Sequence, residues 1–371
     1  MEPKPWYWID DLTQLDTPAL VVYPDRVKQN IALLKSTIGD VNRLRPHVKT
    51  SKSREAAQLL LDAGIRKFKC ATIAEAEMLA LIGAPDVLLA YQPNSSKIHR
   101  LLELIKTYPK THFSCLVDNL ATARDLSEQA VTAGLVVPVY IDLNVGMNRT
   151  GIAPGGAVLT LYAELDQLPG VEPVGLHAYD GHLRNPDLIQ RTADCDAAFW
   201  PVQLLSETLS ARGFVKPIIV VGGSPTFPIH AKRQGVECSP GTFIYWDKGY
   251  ATTLLEQPFL PAALVVARVI SLPTSTKICV DVGHKSVAAE GDLITRITFL
   301  NAPDLVAAGQ SEEHLVLEAG EGHSYKIGDV FYGLPNHICP TVALYERAYT
   351  IEDGTVTGEW RTLARDRMIA V

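Results

Sequence analysis

Short β-branched or aromatic runs recur through the first two-thirds of this chain with helical stretches between them, and that alternation leaves few folds open. The runs are Ala19–Tyr23, Arg43–Lys49, Lys67–Thr72, Asp86–Tyr91, His112–Asp118, Pro138–Leu143, Glu172–Tyr179 and Pro217–Gly223. Stretches such as Asp25–Ile38, Ser53–Ala63, Ile73–Ile82, Asn119–Ala133 and Leu188–Arg212 repeat apolar residues at helical spacing. They begin near Asp, Ser or Asn, residues that cap helix starts. Eight such units suit a closed (β/α)8 barrel; a doubly wound open sheet uses the same units and is the second architecture.

Beyond Gly249 the pattern turns to strand-like runs split by turns: Ala263–Ser271, Lys277–Val282, Leu293–Phe299, Glu313–Glu318, Asp329–Leu334 and Val342–Ile351. The expected fold is therefore α/β, an N-terminal (β/α)8 TIM-type barrel over residues 18–249 followed by a C-terminal antiparallel β-domain over 250–371. Residues 1–17 are short and aromatic and can pack on either; they are grouped here with the β-domain.

The bulk properties exclude several function classes. Lys plus Arg number 34 against 41 Asp plus Glu, a net charge of −7, so neither nucleic acid nor an anionic membrane is expected as a partner. Met1–Trp8 carries acid and proline where a signal peptide is apolar, and no apolar run reaches the ~18 residues that span a bilayer. A cytoplasmic protein is the expectation. The six cysteines, at 70, 115, 195, 238, 279 and 339, are scattered without a CxxC and read as reduced thiols.

In a barrel of this type the chemistry lies at the C-terminal strand ends. The second run ends on Lys49, and a lysine that loses hydration at a strand mouth can become a nucleophile. His47 alternates onto the same face. The sixth delivers Gly146-Met-Asn-Arg149-Thr-Gly, the seventh His177-Ala-Tyr179-Asp-Gly-His182, and the eighth Gly222-Gly223-Ser224-Pro-Thr226. Two glycines before a helix start suit a phosphate cradle. The plainer alternatives are a solvated lysine, a surface salt bridge for Arg149 and a packed aromatic for Tyr179.

Arg-Pro-His-Val-Lys49-Thr, Gly146-Met-Asn-Arg149-Thr-Gly and Gly222-Gly-Ser-Pro-Thr226 resemble the motifs of fold-type III (alanine racemase-like) pyridoxal-phosphate enzymes, and most closely the D-threonine aldolase and D-serine dehydratase branch. The resemblance runs from Thr17 into the β-domain. It implies that Lys49 is the Schiff-base lysine and that Arg149 hydrogen-bonds the cofactor's phenolic oxygen. Gly222, Gly223, Ser224 and Tyr245 would hold the phosphate, and Tyr179 would lie against or near the ring nitrogen. His47, on the face of Lys49, reads as a residue that orients the cofactor. The resemblance also implies a homodimer and a D-amino acid substrate.

Gly333-Leu-Pro-Asn-His337-Ile-Cys339 separates this branch from the racemases. A histidine and a cysteine at i and i+2 point the same way from a strand, or converge from a tight turn after Pro335, and so can share one metal ion. The imidazole–thiolate pair suits Zn²⁺ better than Mg²⁺ or Mn²⁺. The resemblance then implies a pyridoxal-phosphate- and metal-dependent lyase of D-β-hydroxy-α-amino acids. Dehydration would yield an α-keto acid and ammonia; retro-aldol cleavage would yield glycine and an aldehyde. Characterised D-threonine aldolases carry Asp where this chain has Cys339, which tilts the reading towards dehydration. An amino-acid racemase, a non-catalytic cofactor carrier and a barrel without the cofactor are the alternatives.

Overall fold

The computed structural model describes residues 4–13 and 15–371. They form two compact units: a barrel unit of residues 34–49, 57–241 and 366–371, and a β unit of the residues up to Leu33 with 50–56 and 242–365. In chain order the strands are β1 (Ala19–Val22), β2 (Lys67–Cys70), β3 (Asp86–Leu89), β4 (His112–Val117), β5 (Val137–Asp142), β6 (Val171–Ala178), β7 (Ile218–Val221) and β8 (Val236–Cys238). They continue as β9 (Ala263–Thr274), β10 (Lys277–Val280), β11 (Ile297–Phe299), β12 (Val306–Gln310), β13 (Leu315–Glu318), β14 (Val330–Pro335), β15 (Arg347–Glu352) and β16 (Thr355–Arg361).

Strands β2 to β8 form one parallel sheet in sequence order. Runs such as Val-Pro-Val-Tyr-Ile-Asp in β5 are buried along their whole length, as befits strands covered on both faces. Two expectations about the staves change. Ala19–Tyr23 is not a stave: β1 pairs antiparallel with β9 and parallel with β15 in the other unit. Its Ala-Leu-Val-Val is buried throughout and so suits the middle of any sheet. The last stave is instead β8, whose three residues are too short to show a period.

Arg43–Lys49 does close the barrel, although not as a regular strand. Leu44 bridges Cys238 of β8 and His47 bridges Lys69 of β2, both in parallel. Arg45 and His47 donate their N–H groups to Cys238 and Pro240, and Val48 donates to Lys69. Pro46 interrupts the ladder: its carbonyl accepts from the Lys69 N–H, but it has no N–H to return.

The barrel interior is filled rather than open. Leu88, Leu116, Tyr140 and Val220 pack as one apolar cluster. Arg45, 1% exposed, is held by Glu237 at 2.7 Å and Asp86 at 2.6 Å, so its buried charge is paired.

The β unit is a nine-stranded sheet in the order β12-β13-β10-β9-β1-β15-β16, with β14 on β9 and β11 on β14. Every pairing is antiparallel except β1 with β15. The aromatic N-terminus belongs here, with Trp6 and Tyr7 ring centroids 4.9 Å from Tyr23 and 5.1 Å from Tyr332. Ile9, Val21, Leu264, Val266 and Tyr332 share its core. Part of the run expected as a strand over Val342–Ile351 is otherwise: Ile338–Val342 is a helical turn, and the strand starts at Arg347. Among the described residues no helix is long and apolar enough to cross a membrane, and no disulfide joins any two of the six cysteines.

Candidate functional site

In the barrel unit three cationic side chains surround one aromatic ring. Lys49 Nζ lies 5.7 Å, Lys69 Nζ 5.6 Å and the Arg149 guanidinium 5.0 Å from the Tyr179 centroid. Each comes from a different part of the barrel. Lys49 ends the closing segment, Lys69 lies in β2, Tyr179 follows β6, and Arg149 is carried by the loop after β5. That loop is folded by Asn144, whose Oδ1 accepts from the N–H groups of Gly146 and Asn148. Gly151 has φ +94, and a Cβ there would sit 2.7 Å from the Asn144 nitrogen, so the turn back towards β5 needs glycine.

The glycine pair borders the same ring. A Cβ on Gly223 would lie 2.9 Å from Tyr179 Cε2, and one on Gly222, at φ +77, would lie 2.9 Å from His230 Cδ2. Without side chains the turn lies directly against the ring and the imidazole, and the Gly222 N–H is donated to the Ala178 carbonyl. The helix that follows is a single turn, Phe227–His230, so the cradle rests on the glycine backbone more than on a helix dipole. Gly241, after β8, donates to Ser224 Oγ at 3.4 Å and adds a backbone wall that the sequence reading did not include.

Behind the cradle a buried network ties the turn down. Gly223 N–H donates to Thr226 Oγ1 at 3.3 Å, and Thr226 donates to Asp180 Oδ1 at 2.7 Å. Asp180 Oδ2 is 2.8 Å from His230 Nε2, and Cys195 Sγ is 3.3 Å from the same nitrogen. Asp180, Cys195 and His230 form the one cluster of three such ligand groups among the described residues. Arg233 donates to His230 Nδ1 at 3.1 Å and reaches Cys195 Sγ at 3.9 Å. With a guanidinium so placed, His230 donates from Nε2 to Asp180, and the cluster is a hydrogen-bond network instead of a cation site.

His47 is turned onto its own backbone, its Nδ1 accepting from the Lys49 N–H at 3.2 Å, which ties the backbone ahead of the Lys49 side chain. The polar pair behind Lys69 was not assigned from sequence. His177 Nδ1 lies 2.7 Å from Asp142 Oδ1, and its Nε2 lies 3.4 Å from Lys69 Nζ. Burial opposes the Asp142 charge, yet hydrogen bonds from His177, Thr150 and Gln92 hold its carboxyl below the ordinary value. Burial, then the charge of Lys69, keeps the His177 imidazole below its ordinary value. Its neutral form therefore donates from Nδ1 to Asp142 and accepts at Nε2. A signal was present: Lys67 and Lys69 alternate along a strand that is otherwise Phe and Cys, an unusual pattern for a stave buried on both faces.

The β unit carries the other predicted residues. Tyr245 is 2% exposed, and burial raises its phenol far above the ordinary value. His337 caps the helical turn Ile338–Val342, so His337 and Cys339 converge from a turn and not from a strand. Cys339 Sγ lies 3.1 Å from Thr50 Oγ1 and 3.7 Å from Thr242 Oγ1. Two carboxylates missed in the sequence reading support this turn. Glu290 Oε2 is 2.6 Å from His337 Nδ1, and buried Asp247 accepts from the N–H groups of Ile338 and Tyr250. Burial works against the imidazolium, but Cys339 and Glu290 outweigh it and raise His337 to about 9. An imidazole oriented through one nitrogen by a carboxylate, beside a thiol, is a donor set suited to a borderline-soft cation.

Residues 22–248 match the family model described as alanine racemase, N-terminal domain, and residues 262–351 match the putative serine dehydratase domain. The D-threonine aldolase of Arthrobacter sp is 28% identical over 98% of this chain and 96% of its own length. The D-threo-3-hydroxyaspartate dehydratase of Delftia sp. (strain HT23) is 27% identical over 94% and 97%. Alanine racemase of Clostridium perfringens matches over 42% of this chain. Among solved structures, the D-threonine aldolase of Filomicrobium marinum superposes with a TM-score of 0.86 at 26% identity, covering 95% of each chain. D-threo-3-hydroxyaspartate dehydratase is similar both as a histidine-to-alanine mutant and, two positions on, as a cysteine-to-alanine mutant in the metal-free form.

Proposed function

We propose that this chain, which belongs to the alanine racemase N-terminal domain family and carries a putative serine dehydratase domain behind it, is a pyridoxal-phosphate- and metal-dependent lyase of D-β-hydroxy-α-amino acids. The observation that carries this is one of coverage. In sequence, the aldolase and dehydratase relatives match 94–98% of the chain, whereas the racemases match about two-fifths of it and share the rest only as fold, at 14–15% identity. In this reading residues 18–249 bind the cofactor and 250–371 supply the metal ligands, and a second copy of the chain completes the active dimer.

The residues present fit the cofactor. A Cβ at Gly222 or Gly223 would press on His230 or Tyr179, so the turn keeps a bare backbone beside the ring, and a lysine and an arginine stand about that ring. Lys49 Nζ would hold the aldehyde carbon, Arg149 the phenolic oxygen, and Gly222, Gly223, Ser224 and Tyr245 the phosphate, with Tyr179 beside the pyridine nitrogen. When bound, the cofactor draws electrons from the substrate's Cα.

The chain's own part is to choose the bond. Dehydration needs a base for the Cα proton, a role for Lys49 Nζ; retro-aldol cleavage needs the β-hydroxyl proton removed. His337 and Cys339 would hold a divalent ion, and their N/S donor set favours Zn²⁺. Such an ion supplies Lewis acidity for the β-hydroxyl. The spacing of His337 and Cys339 equals that of the two mutated residues named for the solved dehydratase.

Incubation with D-threonine, D-serine and D-threo-3-hydroxyaspartate tests the reading. Keto acid with ammonia marks a dehydratase, and glycine with an aldehyde marks an aldolase. Interconversion of D and L isomers without either product set would overturn the lyase assignment. Gly223→Val tests the cradle: a branched side chain pressing on Tyr179 should weaken pyridoxal-phosphate affinity by about tenfold or more. Fluorescence titration of the apo-protein reads this, and unchanged affinity would move the phosphate elsewhere.

A further inference from the structure

Two inward hydrogen bonds shape the glycine turn. The Gly222 N–H is donated to the Ala178 carbonyl at 3.1 Å, and the Gly223 N–H to Thr226 Oγ1 at 3.3 Å. The first joins backbone to backbone; only the second depends on a side chain. Thr226 is fully buried and has a single hydroxyl proton, which it gives to Asp180 Oδ1 at 2.7 Å. The Gly223 N–H therefore meets a lone pair of that hydroxyl.

Asp180 is fixed in turn. Burial opposes its charge, yet hydrogen bonds from His230 and Thr226 hold its carboxyl below the ordinary value. His230 Nε2 reaches Asp180 Oδ2 at 2.8 Å, and Arg233 donates to Nδ1 of the same ring at 3.1 Å. A guanidinium has donors only, so the imidazole proton stays on Nε2, where Asp180 accepts it. The ring is wedged in place. Phe199 of the helix Leu188–Ala211 packs edge-on against it at 5.6 Å, Cys195 Sγ lies 3.3 Å from Nε2, and a Cβ on Gly222 would stand 2.9 Å from Cδ2. The donors from Arg233 on one side and from Gly223 on the other thus all point towards Asp180.

We propose that Asp180, His230 and Arg233 are positioning residues that act through Thr226 on a bound phosphate monoester, by holding the Gly222–Gly223–Ser224 turn in the shape that receives it. Both glycines then serve the phosphate by shape, since their N–H groups are committed to Ala178 and Thr226. Arg233 sets the polarity of the whole chain from its far end. Without it the imidazole is free to carry its proton on Nδ1, which would set the Nε2 lone pair against the Asp180 carboxylate and loosen the hold on Thr226. The inference rests on the reading in which this turn takes the cofactor's phosphate.

The test compares two aldehydes, pyridoxal phosphate and pyridoxal, which lacks the phosphate, by fluorescence titration of apo-protein whose fold is checked by circular dichroism. General damage to the barrel weakens both; a misplaced turn weakens only the first. Thr226→Val should lower the affinity for pyridoxal phosphate by about tenfold and leave that for pyridoxal unchanged, as expected when a buried hydrogen bond is lost at the phosphate end. Thr226→Ser, which keeps the hydroxyl, should match the wild type with both. Arg233→Met should shift the ratio of the two affinities in the same direction by about threefold. Equal losses for both aldehydes in folded Thr226→Val, an unchanged ratio, or a loss in Thr226→Ser as large as in Thr226→Val would overturn the proposal; where Thr226→Val does not fold, the ratio in Arg233→Met decides alone. Wild-type protein that binds pyridoxal phosphate no better than pyridoxal would sink the phosphate reading itself, which keeps the two failures apart.

Discussion

Lys49→Ala will give a folded protein with no visible absorbance from captured cofactor and with turnover lower by about 10³-fold or more, as expected when a covalent catalytic group is deleted. Lys49 is only partly buried and stands among cations, so its removal strands no buried partner and relieves repulsion. The neighbouring Lys69 will not take its place, because its amine is held at His177 inside the barrel. Borohydride mapping of wild-type protein with pyridoxal phosphate should therefore find label on Lys49 and none on Lys69. Label on Lys69, or turnover within tenfold of wild type in Lys49→Ala, would require a different nucleophile.

The second large effect is expected at Cys339. Cys339→Ala, or dialysis of the wild type against a chelator, should remove a bound divalent ion and lower lyase turnover by about 10²-fold or more, since few protein ligands hold it. Metal analysis should find about one ion per chain in the wild type and none in the variant. Cofactor absorbance should survive, because Lys49 and the glycine turn belong to other segments. Cys339→Asp should rebind metal with its preference moved from Zn²⁺ towards Mn²⁺ and Mg²⁺, since a carboxylate is the harder donor. Full turnover in metal-free protein would return the chain to the racemase reading, which has no use for the ion.

Much of this site was legible because strand ends are legible. The apolar runs stop at Lys49, Leu143, Tyr179 and Gly223, and the side chains just there or just beyond do gather: Lys49 and Arg149 about Tyr179, with Gly223 against its edge. The supports were not legible. Lys69 and His177 meet across 108 residues, His337 and Glu290 across 47, and Asp247 reaches the Ile338 N–H across 91. Short polar side chains at such separations carry no period, and only the packed backbone brings them together.

The sequence by itself determined the local events. Alternation marked the staves from β2 to β7, Pro46 ruled out a regular ladder where the barrel closes, and the Gly222–Gly223 pair marked a turn that tolerates no side chain. These depend on dihedral preferences and on which face of one segment is apolar, and both are properties of neighbouring residues. Tertiary structure alone decided which sheet received Ala19–Val22, since a strand buried on both faces satisfies its hydrogen bonds equally well between any two apolar neighbours. It also decided that Lys69 faces Tyr179 beside Lys49 in the barrel unit. A lysine's burial and proton affinity follow from what the other staves place around it, and no segment of chain specifies that alone.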